Sequence, residues 1–133
     1  MNLRFHDSGE EDDVRWLGSS LVLKRCVACN GDLLRLEEAE VSRLLPSVGG
    51  WRRSESGREL IREVRFSAFT EAMSFIGAVG WIAHTEDHHP DIECYHTRVV
   101  LRMRTHAVDG LTENDFICAA KIEQLLFVGD RAG

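Results

Sequence analysis

An α+β fold, with one four-stranded antiparallel sheet and three helices on one face, is predicted by three features of the sequence. Apolar residues recur at helical spacing in three segments. Between those segments they alternate with polar residues in short runs. The two patterns follow each other as helix, strand, strand, helix, strand, strand, helix, the third strand being short. Hairpins followed by helices give an antiparallel sheet with the helices segregated on one side.

Residues 1–13 end in "DSGEEDD", a like-charge run with little to bury, and are expected to form a disordered tail. Residues 14–34 are mixed and predict no firm element. "LEEAEVSRLLP" places Leu36, Val41, Leu44 and Leu45 at helical spacing, with acids early, Arg43 late and Pro46 as the stop. "SVGGW" reads as a turn into a strand at Trp51. Residues 51–55 and 59–66, with "SESG" between them, read as a hairpin, with Val64 and Phe66 on one face and Glu63 and Arg65 on the other. From Thr70 the period changes: Ala72, Met73, Ile76, Val79, Gly80 and Ala83 recur as on a helix, with Thr70 the expected N-cap and Glu71 in the first turn. Pro90 disfavours helical geometry at His89, so this helix is expected to end near His88. "YHTRVVLRMRTHA" returns to alternation, Val99, Leu101, Met103 and Thr105 facing one way and Val100, Arg102, Arg104 and His106 the other. "LTENDFICAAKIEQLLF" is a third helix, with Thr112 as cap and Phe116, Ala119, Ala120, Ile122 and Leu126 available for burial. The chain thus divides into an acidic, partly disordered N-terminal extension (1–35), a folded domain (36–128) and a short C-terminal tail (129–133).

Composition narrows the function. The 133 residues suffice for one core. A net charge of −6 argues against direct nucleic-acid binding, which needs a basic field. The acidic start lacks the apolar core of a secretory signal, and "FIGAVGWIA" is far shorter than a membrane span, so no membrane partner and a cytoplasmic location are expected. Cys26 and Cys29 have the spacing of a metal or redox pair, but no second pair completes a zinc site. They read as reduced thiols in the extension. Cys94 and Cys118 stand isolated in apolar-patterned segments. The open sheet face around Val100 would suit either an oligomer partner or solvent.

Five of the six histidines lie between positions 84 and 106, three of them in "HTEDHHP". His84 and His88 are four apart, on one side of the helix's last turn, while His89 leaves the helix and His106 closes a strand. Glu86, Asp87 and Asp91 stand close by in the chain. Histidine titrates near neutrality and carboxylates can orient its tautomer, so acid/base chemistry is one reading. A histidine pair at this spacing is also zinc geometry, and histidines at a helix C-terminus also suit the helix dipole. The residues alone leave these three open.

"EDHHPDI", then "TRVVLRMRTH", then "GLTENDFICAAKIEQL" resemble the pterin-4a-carbinolamine dehydratase family over residues 36–128. The family's signature is an acidic, basic or histidine residue, three positions, His-His-Pro or His-Asn-Pro, a histidine after the next strand and an aspartate opening the last helix. His84, His88, His89, Pro90, His106 and Asp115 stand in those places. The "CVAC" before the first helix is similar to bacterial members. The resemblance implies four antiparallel strands with three helices, a homodimer joined through sheet edges or a homotetramer, and no metal or organic cofactor. It implies dehydration of a pterin substrate, 4a-hydroxytetrahydropterin, to quinonoid dihydropterin in tetrahydropterin recycling. His88, His89 and His106 are then the catalytic residues, and His84, Asp87, Thr105 and Asp115 the substrate-binding or orienting ones. His84 replaces a glutamate of several members, which removes a negative acceptor for pterin N–H groups. His88 and His106 are expected at a pocket rim, and His96 in a hairpin turn outside it. Some relatives act instead as a dimerisation cofactor for a transcription factor or as Rubisco assembly factors, so a non-catalytic role on the same fold is the alternative.

Overall fold

In the computed structural model, which describes residues 20–29 and 33–132, the expected order of elements is observed. The disordered tail expected at residues 1–13 lies outside the described residues. Helix α1 (Glu38–Leu44) runs into a 3-10 turn (Leu45–Val48), strands β1 (Trp51–Arg53) and β2 (Leu60–Arg65) form a hairpin, and α2 (Phe69–Glu86) follows. Strands β3 (Asp91–Tyr95) and β4 (Arg98–Met103) form a second hairpin, and α3 (Glu113–Ala132) ends the chain. The α-helix ends at Leu44, before Pro46 as expected, and the chain coils on through one tighter 3-10 turn that carries the proline in its first positions.

The sheet order is β1-β2-β4-β3, with every pairing antiparallel. Its register sorts side chains as the alternation requires. Leu60 pairs with Met103 and Val64 with Val99, and these face the helices with Leu101. Val41, Leu44, Val79, Phe116, Ile117 and Ile122 pack against them in one core. Arg62 also falls on the helix side, opposite Trp51 and Leu101, and Glu123 of α3 meets its guanidinium at 2.8 and 3.0 Å. Gly50 makes room for that side chain: at φ 97° a Cβ there would lie 2.7 Å from the guanidinium carbon.

The other sheet face carries Ile61 and Val100 under a lattice of ion pairs, Arg98–Glu63, Arg102–Glu93 and Arg102–Glu59. Both apolar residues are buried, so this face is not the bare apolar surface its valine would make alone. Phe69, Met73 and Trp81 on α2, and Ile92 and Tyr95 on edge strand β3, are exposed.

Helix α2 corrects one expectation. Its N-cap is Ala68, not Thr70, and the cap makes no side-chain hydrogen bond. Instead Glu71 reaches back and accepts from the backbone N–H and hydroxyl of Ser67, at 3.1 and 2.7 Å. Both bonds run from Ser67 to the carboxylate and tie the residue before the cap to the first turn, and the helix starts one residue before Thr70.

Residues 24–29, without regular secondary structure, form a strap across the ends of α2 and α3. The Cys26 N–H donates to Glu86 Oε1 at 2.8 Å, and Asn114 clasps Val27 by accepting from its N–H and donating to its carbonyl, at 3.1 and 2.8 Å. Glu86 is buried and its second oxygen meets Lys121 Nζ at 2.6 Å. Burial pushes the Glu86 carboxyl up, but the Cys26 N–H, the Lys121 ammonium and the Arg25 charge outweigh it and hold it below the usual carboxylate range. A depressed carboxylate contributes stability that is complete above its unfolded value, near 4.5, and is lost as pH falls through the folded value. Glu86→Gln is therefore expected to cost about 1–3 kcal/mol at neutral pH, with the gap to wild type closing in acid. Urea unfolding at neutral and acid pH checks this, and a gap independent of pH would show that charge is not what Glu86 contributes.

Candidate active site

The end of α2 is shaped by a conflict between the helix and Pro90. His89 cannot stay helical before proline, so the chain must turn within two residues. Asp87 does so by taking the left-handed conformation, φ 53° and ψ 44°, which a short polar residue tolerates. The His88 N–H then closes onto the Ala83 carbonyl at 3.1 Å. This turn separates the histidines that the spacing had grouped. His84 is exposed and packs on Trp81 with centroids 5.9 Å apart, while His88 swings inward and is 5% exposed. His88 is thus a buried group and not the rim residue expected.

Its buried partner is Asp115 on the first turn of α3. His88 Nε2 lies 2.7 Å from Asp115 Oδ1. Asp115 Oδ2 accepts from the Thr105 hydroxyl at 2.8 Å and from the Thr112 N–H at 2.9 Å. The Thr112 hydroxyl completes the set, 2.7 Å from Thr105 Oγ1. Since Thr105 donates to the carboxylate, Thr112 must donate to Thr105. Thr112 therefore precedes the helix as expected, but its side chain caps the end of β4 and Asp115 caps Thr112. A carboxylate with both oxygens accepting demands a proton on His88 Nε2, so the neutral ring keeps a lone pair on Nδ1.

That Nδ1 faces the strap, with Cys29 Sγ 3.8 Å away. Partial burial pushes the Cys29 thiol up, and Asp115 and Asp87 add to the effect against one hydrogen bond from Asn114. Cys29 is thereby kept as an S–H donor. Cys26 turns the other way, its sulfur 3.6 Å from that of Cys118, whose thiol is raised by its bond to Cys26 and by burial. All four cysteines are free. Cys118 has a partner after all, one that lies 92 residues away in the chain and left no local trace.

Beyond β4 the loop closes on itself through a bridge between Thr105 and Gly110. His106 opens a short 3-10 turn there, and Asp109 ends it in the left-handed region at φ 51°. Arg104 Nη1 meets Asp109 Oδ1 at 3.0 Å, and its Nη2 lies 3.3 Å from His106 Nδ1. Its Nε is buried without a partner among the described residues.

A cavity of about 290 Å³ gathers these groups: Cys29, Asp87, His88, His89, Arg104 and His106 line it with Pro90, Asp91 and Ala107. The structure thus brings together His88, His89, His106 and Asp87. Thr105 and Asp115 are fully buried behind His88, and His84 is not among the lining residues. His96 lies in the turn between β3 and β4 at φ 58°, stacked on Phe69, away from the cavity. Sequence reasoning missed Cys29 and Arg104 as lining residues. The alternation that put Arg104 and His106 on one face was the available signal for the second. A larger groove of about 560 Å³ between Phe66, Phe75 and Leu125 has only Glu71 as a titratable group, so it offers no acid/base pair. Among the described residues, no three His, Cys, Asp or Glu side chains are grouped to hold a metal ion, and no helix is long and apolar enough to cross a membrane.

Residues 34–125 match the family model described as Pterin 4 alpha carbinolamine dehydratase. A Stenotrophomonas maltophilia (strain R551-3) protein named "Putative pterin-4-alpha-carbinolamine dehydratase" is 50% identical over 105 residues, 79% of this chain and 90% of that protein. A Xanthomonas campestris pv. campestris (strain 8004) protein of the same name is 47% identical over 104 residues, 78% and 88% of the two chains. Among solved structures, the transcriptional coactivator/pterin dehydratase of Brucella melitensis aligns with a TM-score of 0.67 at 29% identity, covering 69% of this chain and 98% of that one. The family match starts after the strap of residues 24–29.

The Asp115 network generates a test. Asp115→Asn puts an N–H₂ group where one oxygen must accept, so a buried donor faces a donor. The expected loss is about 2–3 kcal/mol of stability, together with a shift of the His88 ring away from a single Nε2–H tautomer. Chemical denaturation and ring ¹⁵N spectra of the folded variant measure the two effects. An unchanged ring spectrum would mean that Asp115 does not hold the tautomer.

Proposed function

The chain belongs to the pterin 4 alpha carbinolamine dehydratase family, and we propose that it dehydrates 4a-hydroxytetrahydropterin to quinonoid dihydropterin by histidine acid/base catalysis, as a step of tetrahydropterin recycling. The observation that carries this reading is the convergence of three imidazoles from two separate elements on one cavity. His88 and His89 come from the exit of α2, and His106 from the loop after β4.

The reaction asks for what these groups supply. The N5 lone pair forms the C4a=N5 bond as the C4a–O bond breaks, with both electrons of that bond leaving on oxygen. A proton delivered to that oxygen lets it depart as water, and the proton on N5 is taken up by a base. Each transfer by a positioned side chain contributes typically ~10²–10⁴-fold. His88 suits the acceptor role: Asp115 holds its Nε2 proton and stabilises the imidazolium once it forms, and the Nδ1 lone pair meets only the weak S–H donor of Cys29 on the cavity wall, which a substrate N–H can displace. His89 is exposed, without a fixing hydrogen bond among the described residues, and serves as a positioning or relay group. Asp87 can accept from the amino-pyrimidinone edge at the cavity mouth. The thiol of Cys29 closes one wall. No step calls for a metal or an organic cofactor.

The direct test is the dehydration of synthetic 4a-hydroxytetrahydropterin, followed in stopped flow against the buffer rate. His106→Ala should lower turnover on the order of 10²-fold with little loss of stability, because the side chain is exposed. His88→Ala should lose turnover similarly but also cost about 2–3 kcal/mol, because it strands a buried carboxylate. His96→Asn, outside the cavity, serves as the control that keeps its rate. If the wild-type protein leaves the buffer rate unchanged, the enzymatic reading fails and a non-catalytic dimerisation or assembly role on this fold takes its place. If His106→Ala keeps its rate while His96→Asn loses it, the site has been assigned to the wrong residues.

A further inference from the structure

We propose that Arg104 is a positioning residue: its guanidinium fixes the tautomer of His106 so that this ring offers an N–H to the substrate and acts as the proton donor. The inference rests on the dehydratase reading above and adds a residue and a role to it.

A guanidinium donates and never accepts. With Arg104 Nη2 3.3 Å from His106 Nδ1, the lone pair of Nδ1 is engaged and the neutral ring must carry its proton on Nε2. Nε2 makes no hydrogen bond among the described residues and is left for a ligand. The two rings are therefore set in opposite senses. Asp115, an acceptor, holds the proton of His88 on Nε2 and leaves a lone pair on Nδ1, beside Cys29 on the cavity wall. Arg104, a donor, holds the lone pair of His106 and leaves an N–H outward. Expulsion of water from a carbinolamine needs one of each.

The guanidinium is itself held. Asp109 takes Arg104 Nη1 on one carboxylate oxygen and Arg58 on the other, at 3.0 and 3.2 Å, and its backbone carbonyl accepts from Arg35 at 3.2 Å. The left-handed turn at Asp109 aims that carboxylate back at the arginine five positions earlier. Arg104 Nε is buried without a partner among the described residues. Its two terminal nitrogens are placed, one for the anchor and one for the histidine.

The test uses the full-length protein with Arg104→Met, which keeps the stem and removes the donor, and Arg104→Gln, which keeps an N–H donor without the charge. Ring ¹⁵N spectra of His106 in mildly alkaline buffer, where imidazole is neutral, should show one Nε2–H tautomer in the wild type and in Arg104→Gln. In Arg104→Met they should move toward a mixture. Turnover should fall on the order of 10-fold in Arg104→Met with KM held, and Arg104→Gln should recover most of it. An unchanged ¹⁵N spectrum in Arg104→Met overturns the proposal. So does a rise in KM with kcat held, which would make Arg104 a pterin-binding group. The spectrum does not depend on turnover: were the wild type inactive on every pterin offered, the dehydratase reading would fall, and the tautomer data alone would decide whether Arg104 positions His106.

Discussion

The contact between His88 Nε2 and Asp115 Oδ1, 2.7 Å long and sealed from solvent, ties the exit of α2 to the entry of α3. Most of what surrounds it can be read as its consequence. A buried carboxylate is tolerable only when each oxygen is satisfied, and Asp115 recruits Thr105 from the end of β4 and Thr112 from the helix start to do so. The same network therefore fixes where β4 ends, where α3 begins and which way the imidazole points. Charge and hydrogen bonding here select one arrangement, while the apolar core of Leu60, Leu101, Met103 and Phe116 provides the bulk of the driving force for folding.

A second tie runs in parallel. Glu86 lies two residues before His88 and Asn114 directly before Asp115, and both grip the strap of residues 24–29. The strap covers the joint between the two helices and delivers Cys29 to the cavity wall. Lys121 and Arg25 neutralise Glu86, so this junction buries a carboxylate without leaving an unpaired charge. Fold stability and site geometry thus meet at the same two helix ends, and a change that loosens one loosens the other.

Much of the fold was legible in the sequence because it depends on local periodicity. The change from alternation to helical spacing at residue 70, and back before Val99, marks α2 and β4 to within a few residues. The family resemblance also located the histidine cluster and Asp115. What was not legible depends on contacts far apart in the chain. The spacing of His84 and His88 predicted a shared face, but the left-handed turn at Asp87 sends one ring to solvent and the other inward. Thr70 had the right chemistry for a cap, yet the Ser67–Glu71 contact placed the helix start earlier. The pairs Cys26–Cys118, Glu86–Lys121 and Arg62–Glu123 join residues 35 to 92 positions apart and follow no local pattern. Arg104 was seen on the polar face of its strand, but its partner Asp109 comes into reach only when the Thr105–Gly110 bridge closes the loop.

The central claim is that a pterin ring binds in the cavity between the α2 exit and the loop after β4. It is tested most directly by titrating the ¹⁵N-labelled protein with a stable reduced pterin that lacks the 4a-hydroxyl group. The account predicts that the largest shifts fall on His88, His89, Arg104 and His106, with smaller ones at Cys29 and Asp115. Shifts confined to the groove of Phe66, Phe75 and Leu125, or no shifts at all, would contradict it.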